Sequence, residues 1–155
     1  MTAPAPIEVN FKILHPLAAE MPPAYSTTGS AGFDLRACID QDEIEIPAGG
    51  RHAFGTGIAI DIREPGWAAF IYSRSGLGTK KGLTVSQGVG VIDPDYRGEI
   101  IVSILNTSGQ RRRIQRGERI AQLVFMPFRQ GKMTQVEELS DTSRGSGGFG
   151  STGKL

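Results

Sequence analysis

The sequence predicts an all-β protein, a jelly roll or β-sandwich with little helix, on three observations. The chain has 21 glycines and 9 prolines in 155 residues, a turn content that favours many short strands. Short stretches of alternating apolar and polar residues are separated by turn residues roughly every 8–12 positions, as in sandwiches. No stretch of about twelve residues keeps the 3.6-residue apolar period of an amphipathic helix.

The predicted strands follow these alternating or apolar stretches. The clearest alternation is at residues 56–62, where Ile58, Ile60 and Ile62 share one face. Residues 67–72 are apolar on both faces, as expected for a central strand that is covered on two sides. Further strands are expected at residues 7–13, 33–37, 43–47, 83–85, 99–105, 119–125 and 133–139.

Loops are expected between these strands. The pair Pro22-Pro23 excludes regular structure within residues 18–29. Residues 73–82 are polar and rich in glycine, which favours a loop with one helical turn. We expect a single β domain at residues 1–139. From residue 140 to 155 the chain is mostly Ser, Thr, Gly and Arg, and such a tail is expected to be mobile unless a partner or ligand orders it.

Charge and cysteine content limit the partners and the cellular compartment that we expect for this protein. With 17 basic and 16 acidic residues the net charge is +1, so we expect no nucleic-acid or membrane partner. A single cysteine excludes an intramolecular disulfide and Cys-based zinc sites. Residues 1–20 lack the pattern of a secretory signal, and no apolar run reaches membrane-spanning length. We expect a cytoplasmic protein.

Residues 88–99 are the stretch most suggestive of a binding site. Gly88 and Gly90 let main-chain groups approach a ligand closely, and Asp93-Pro94-Asp95 predicts a turn. With a strand predicted on each side, we expect a hairpin that presents a carboxylate and the ring of Tyr96. The alternative is an ordinary turn with two solvated carboxylates.

Two basic stretches are weaker candidates. Arg74-Ser75-Gly76 follows an apolar strand and could seat a phosphate, although this stretch taken alone favours a solvated loop. The run at residues 111–116 contains four arginines, and the near-zero net charge favours a solvated hairpin over a nucleic-acid patch. Cys38, His15 and His52 lack any signature of a nucleophile or metal site, so structural roles are the better interpretation.

The tail could bind an anion through glycine N–H groups, hydroxyls and the guanidinium of Arg144. Residues 148–154 match the GxxxxGK pattern of a phosphate-binding loop, but no strand is predicted before them and no helix after them. The alternative is a plain Gly/Ser tail. Phe149 is the exception, an aromatic residue outside the predicted core that could stack on a base.

Taken together, five segments resemble in order and spacing the five motifs of the trimeric dUTP diphosphatases (dUTPases). They are residues 31–37, 74–78, 90–98, 119–123 and 144–153. The resemblance implies a jelly-roll protomer and a homotrimer with active sites between subunits, each closed by a neighbour's tail. It also implies hydrolysis of dUTP to dUMP and diphosphate with Mg²⁺ on the triphosphate. This reaction keeps uracil out of DNA and supplies dUMP for thymidylate synthesis.

The resemblance also implies roles for single residues. Asp93 would activate the water that attacks the α-phosphorus, and Asp34 would hold Mg²⁺ through water. Tyr96 would pack against the deoxyribose and exclude a 2′-hydroxyl, while Phe149 would stack on uracil as the tail closes. The phosphates would be bound by Arg74, Ser75, Gly76, Gln122, Arg144, Ser151 and Thr152, with Gly150 also in the closing tail. Main-chain groups around residues 88–91, including Gly90, would pair with uracil, and Val91, Ile92 and Ile101 would line its pocket.

One position departs from the motif pattern. Where the family usually has Asn six residues before the catalytic Asp, this chain has Gln87, which keeps the amide with one more methylene. We expect the base contact to be retained with some backbone adjustment. The alternatives to a dUTPase are a dCTP deaminase-type enzyme of the same fold and a non-catalytic dUTPase-like nucleotide-binding regulator.

Overall fold

The computed structural model describes residues 5–148 of the chain, and this part is built almost wholly of short strands. Its two helices contain five and seven residues. In chain order the elements are β1 (Val9–Ile13), α1 (Pro16–Glu20), β2 (Gly32–Arg36), β3 (Glu43–Ile46), β4 (Arg51–Gly55), β5 (Ile58–Ile62), β6 (Trp67–Ser73), α2 (Ser75–Lys81), β7 (Leu83–Val85), β8 (Gly90–Ile92), β9 (Ile101–Asn106), β10 (Arg112–Gln115) and β11 (Arg119–Pro127).

The strands form four small sheets in which each described pair is antiparallel. The largest has the order β2-β11-β6-β8, and a three-stranded sheet has the order β4-β9-β7. Two-stranded sheets pair β1 with β5 and β10 with β3. The predicted fold class, an all-β jelly roll or sandwich with little helix, is confirmed.

One apolar core joins the four sheets. The alternation of the sequence explains it, because Phe33 and Leu35 of β2 are buried while Asp34 and Arg36 between them are partly exposed. Phe54 and Ile104 contribute fully buried side chains from the three-stranded sheet. Residues 112–115 of the basic run form β10, where the exposed Arg113 pairs with Glu43 and Glu45 of β3. The run is solvated as expected, but the expected hairpin is wrong, because β10 pairs with β3 and not with a strand next to it in sequence.

The predicted hairpin around residues 93–95 is wrong in its strand pairing. A turn does form there, with the Tyr96 N–H donating to the Asp93 carbonyl at 3.1 Å. However, β8 pairs with β6 and β9 pairs with β4 and β7, so the two strands belong to different sheets. Residues 93–100 therefore form a crossover between sheets. Local alternation indicates which face is buried but carries no information about which strand is the partner.

Three other expectations also need correction. The predicted loop at residues 18–29 begins within α1, which starts at Pro16 and is capped by His15 Nδ1 accepting from the Leu17 N–H at 3.1 Å. The single helical turn expected in residues 73–82 is the longer helix α2. The strand expected at residues 133–139 is absent, since the described chain has no strand after Pro127, and Met133 and Leu139 are 93% and 86% exposed. Neither described helix has the length and apolarity needed to cross a membrane.

Candidate active site

Three adjacent strands bring the carboxylate of Asp34 and the amide of Gln122 side by side. In the four-stranded sheet Gln122 of β11 lies directly opposite Asp34 of β2 and Tyr72 of β6. Gln122 Nε2 donates to the Ser73 carbonyl at 3.2 Å, at the last residue of β6. Arg74 is the residue after Ser73 in the chain, so the register of the sheet places its guanidinium beside Asp34.

The carboxylate of Asp34 is held by two arginines. Arg74 Nε donates to Asp34 Oδ1 at 2.6 Å, and Arg119 Nη1 donates to Asp34 Oδ2 at 3.2 Å. Arg74 Nη1 also reaches the Arg119 carbonyl at 3.3 Å. The Asp34 side chain is only 19% exposed, so this charge-assisted pairing is partly shielded from water.

These groups line a cavity of about 310 Å³ that we call the phosphate seat. Ser75 and Gly76 line it from the start of α2, where Arg74 takes an extended backbone conformation before the helix. Two free guanidinium edges, a hydroxyl and an amide then face one concave surface, a set of donors suited to a phosphate chain. The lining residues are Ser26, Ser30, Ala31, Gly32, Asp34, Arg74, Ser75, Gly76, Arg119 and Gln122.

The second group of predicted residues lies on β8, at the edge of the same sheet. Gly90, Val91 and Ile92 pair with β6 on one side, and no other described strand covers the opposite side. An edge strand presents unpaired N–H and C=O groups. A Cβ at Gly90 would lie 3.1 Å from the Ile71 side chain, so glycine permits this close pairing. The Val91 side chain is 58% exposed.

The turn before β8 and the crossover after it are both exposed. Gln87 is exposed, and its Oε1 accepts from the Ser86 hydroxyl at 2.9 Å, while Gly88 follows with a φ of 79°. After β8, Asp93 is exposed and Tyr96 is 44% exposed, with its hydroxyl donating to the Glu99 carbonyl at 2.9 Å. Ile101 at the start of β9 is 45% exposed. We call residues 87–101 the nucleoside edge.

Within one chain Arg74 of the phosphate seat is far from the end of β8 that leads to Asp93. Ile92 lies opposite Ala69, near the start of β6, whereas Arg74 follows the end of that strand. Five residues of extended chain separate these positions by about 17 Å. None of the residues lining the cavity of the phosphate seat comes from residues 87–101. The structure therefore gathers the predicted site residues into two groups and does not join them.

Arg144, the predicted tail residue within the described part of the chain, belongs to neither of these two groups. Arg144 is exposed, and its Nε donates to the Gly147 carbonyl at 3.0 Å within a turn of the tail itself. The predicted contacts of Phe149, Gly150, Ser151 and Thr152 lie outside the described residues.

Sequence reasoning missed three residues of the phosphate seat. Arg119 was part of a recognised motif but had no assigned role, and Ser26 and Ser30 were placed in an uncharacterised loop. A signal for Arg119 was available, because two arginines flanking one carboxylate on neighbouring strands are expected to share it. For the two serines no local signal exists, since only the folded loop brings them to the cavity.

The single cysteine and the two histidines have the contacts of structural residues. Cys38 Sγ donates to the Thr56 carbonyl at 3.2 Å, and burial, followed by the nearby Glu99 charge, raises the pKa of the thiol. His15 caps α1, and His52 packs against Phe54 with ring centroids 4.6 Å apart. In the part of the chain that the structure describes, no three His, Cys, Asp or Glu side chains cluster as a metal site.

Comparison with known proteins shows which family shares this sequence and fold. The sequence profile of the dUTPase family matches residues 19–153. Over 147 residues the chain is 46% identical to the deoxyuridine 5'-triphosphate nucleotidohydrolase of Neisseria meningitidis serogroup A / serotype 4A, covering 95% of this chain and 97% of the relative. Over 132 residues it is 52% identical to the protein of the same name from Idiomarina loihiensis, covering 85% and 87%.

A solved structure agrees with the sequence comparison. A mutant of the dUTPase from Staphylococcus bacteriophage 80alpha, solved with dUpNHpp, matches with a TM-score of 0.82 at 26% identity. That match covers 95% of this chain and 99% of the other. The chain belongs to the dUTPase family.

Proposed function

We propose that this protein hydrolyses dUTP to dUMP and diphosphate at active sites shared between the subunits of a homotrimer. Family membership supports the reaction. The observation that carries the shared site is the separation along β6 of Arg74 from Ile92, the residue before Asp93, about 17 Å by strand geometry. In this proposal Asp93 acts at the α-phosphorus and Arg74 binds the phosphates, so both can reach one triphosphate only if they come from different subunits.

In this proposal the nucleoside edge binds the base and sugar. The main-chain groups on the unpaired side of β8, around Gly90 and Val91, pair with the uracil edge, and the Gln87 amide adds a side-chain donor and acceptor. Val91, Ile92 and Ile101 supply apolar surface beside the base. Tyr96 packs against the deoxyribose, so that a 2′-hydroxyl would clash and lose its hydration without a partner.

Asp93 provides the catalytic carboxylate. Its turn holds it in the exposed crossover, where it accepts a proton from the attacking water as the water oxygen bonds to the α-phosphorus. The bond from that phosphorus to the bridging oxygen breaks, and diphosphate leaves. Charge develops on the phosphoryl oxygens, and Arg74, Ser75, Gly76 and Gln122 of the phosphate seat stabilise it.

Mg²⁺ is the cofactor that this chemistry favours. The described residues contain no cluster of three ligating side chains, which fits an ion carried mainly by the triphosphate. Asp34 lines the phosphate seat and could contact the ion's hydration shell. When bound, Mg²⁺ neutralises triphosphate charge and polarises its oxygens. Arg144, Phe149, Gly150, Ser151 and Thr152 of a neighbouring tail would close the site and exclude water.

An apolar groove supports self-association. Its volume is about 580 Å³, and Phe11, Tyr25, Trp67 and Phe125 line it together with smaller residues. Phe11 and Tyr25 are each 51% exposed, and the apolar residues of segment 133–139 are largely exposed as well. Covering both with a second copy would remove this apolar surface from water. We propose a domain of residues 1–139 that forms the trimer and a closing tail of residues 140–155.

The test is diphosphate release from a panel of dUTP, dTTP, dCTP and UTP with Mg²⁺. We expect hydrolysis of dUTP in strong preference to the other three. Asp93→Asn should lower kcat by about 10²–10⁴-fold, the usual contribution of a general base, with dUTP binding largely kept. Asp95→Asn, in the same exposed turn, is the matched control and should leave kcat within about twofold. No diphosphate release from dUTP by the wild type would refute the proposal.

A further inference from the structure

The crossover that carries Asp93 and Tyr96 has little regular structure of its own. Residues 93–100 contain one turn, and both Asp93 and Tyr96 are exposed. Exposed segments of this kind are usually mobile, whereas a catalytic group must be held closely in place. The contacts that hold the crossover are therefore of functional interest.

Arg97 makes three of these contacts, and two of them are side-chain hydrogen bonds to the turn at residues 93–96 from outside it. Its Nη1 donates to the Pro94 carbonyl at 2.6 Å and to the Tyr96 carbonyl at 3.1 Å. Its Nη2 donates to Asp61 Oδ1 at 2.6 Å. A single planar guanidinium thus ties two carbonyls of the turn to a carboxylate outside it.

The carboxylate of Asp61 is a firm anchor. Asp61 lies within β5, opposite Asn10 of β1, so its backbone is fixed by a strand pair. Arg63 Nη1 also donates to Asp61 Oδ2 at 3.1 Å. Partial desolvation opposes ionisation, but the hydrogen bond from Arg63 and the charge of Arg97 outweigh it and lower the pKa of Asp61. The anchor is therefore ionised at neutral pH.

We propose that Arg97 and Asp61 are positioning residues, which clamp the turn carrying Asp93 and Tyr96 in its productive place; this rests on the proposed function. The clamp acts at the two carbonyls that flank Asp95, between the catalytic carboxylate and the ring that contacts the sugar. Loss of the guanidinium frees both at once. A displacement of about 1 Å at a reacting group can cost about 10²-fold in rate.

A clamp and an ordinary surface ion pair predict different measurements. The Arg97 side chain is 53% exposed, and exposed pairs contribute little to stability. If the pair only stabilised the fold, its loss would shift Tm slightly and leave kcat unchanged. As a clamp it changes kcat and the preference for dUTP over UTP, because Tyr96 moves together with Asp93.

The experiment compares four variants, assayed with Mg²⁺ and either dUTP or UTP. Arg97→Met should lower kcat for dUTP by about tenfold or more and reduce the dUTP preference, and Arg97→Lys should recover part of both. Asp61→Asn, which leaves the turn contacts in place, should lower kcat by about threefold. The control is Arg63→Met, which removes the other guanidinium on Asp61 and should leave kcat within about twofold.

Hydrogen exchange of residues 93–99 without ligand gives a readout that needs no activity. Arg97→Met and Asp61→Asn should speed exchange of the Tyr96 amide, which donates to the Asp93 carbonyl, and Arg63→Met should not. Unchanged exchange in the first two variants would overturn the clamp. Wild-type kcat in Arg97→Met, or equal losses in Arg63→Met and Asp61→Asn, would overturn it too. An inactive wild type with the expected exchange pattern would overturn only the proposed function.

Discussion

The phosphate seat lies on the four-stranded sheet and the nucleoside edge includes the edge strand β8 of that sheet, but the two are built in opposite ways. In the seat, side chains on neighbouring strands hold one another, with Asp34 only 19% exposed between Arg74 and Arg119. At the edge, the groups proposed to recognise the nucleoside are main-chain atoms of β8 and an exposed crossover that Arg97 contacts. A phosphate-binding site needs charged side chains in fixed positions. A site that recognises a base through the main chain needs unpaired N–H and C=O groups.

The difference explains why neither half is a complete site. The seat is pre-formed by strand register and could bind any phosphate chain. In the proposed function the edge supplies the base and sugar contacts, but it has little positive charge beyond Arg97, which is already paired. Selectivity for dUTP is therefore expected to reside in the edge, and affinity for the triphosphate in the seat.

The largest expected effect comes from mixing two inactive variants. Asp93→Asn damages the edge and Arg74→Met damages the seat, and each alone should lower kcat/KM by about 10²-fold or more. In a randomly mixed trimer, a site has an intact edge from one subunit and an intact seat from another in about a quarter of cases. Mixed chains that exchange subunits should regain about a quarter of wild-type turnover.

The control for mixing is Asp93→Asn combined with Arg74→Met in the same chain, mixed with Asp93→Asn. No site in that mixture can have an intact Asp93, so turnover should stay at the level of the variants. If the first mixture also recovers nothing after demonstrated subunit exchange, the two halves belong to one chain and the shared site is refuted.

A second, smaller effect concerns Gly98. A Cβ at Gly98 would overlap the Tyr96 ring, coming within 2.6 Å of its Cζ, so Gly98→Ala should displace that ring. We expect the ratio of kcat/KM for dUTP over UTP to fall by about tenfold, roughly the discrimination of one well-placed contact. Gly109→Ala, with no atom within 4 Å of the added Cβ, is the control. An unchanged ratio would show that Tyr96 does not determine the preference for dUTP over UTP.

The smallest effect is expected at Arg119. Its guanidinium pairs with Asp34 in the seat but is 48% exposed, so Arg119→Met should raise KM for dUTP by only about threefold, with the dUTP preference unchanged. Arg113→Met is a matched control, since this half-exposed arginine pairs with Glu43 and Glu45 away from the seat. Equal changes in the two variants would show that Arg119 has no specific role in the seat.

Much of the candidate site could be predicted, because motifs are local in sequence. Asp34, Arg74, Ser75, Gly76 and Gln122 were assigned to phosphates or metal from their motifs, and they do lie around one cavity. Ser26 and Ser30 could not be found this way, since they lie just before the first motif and outside it, and only folding shows that they line the cavity. Arg97 lies within a motif, but no role was predicted for it, because its partner Asp61 lies 36 positions away in sequence.

The sequence by itself determined the all-β class, the faces that are buried and the family, since alternation and motif spacing are properties of neighbouring residues. Only the tertiary structure decided strand partners. It placed β8 beside β6 and β9 in another sheet, turning an expected hairpin into a crossover. Pairing depends on long-range packing, which alternation does not encode. From that pairing follow the free edge of β8 and the separation of Asp93 from Arg74, on which the proposal of a site completed by two subunits rests.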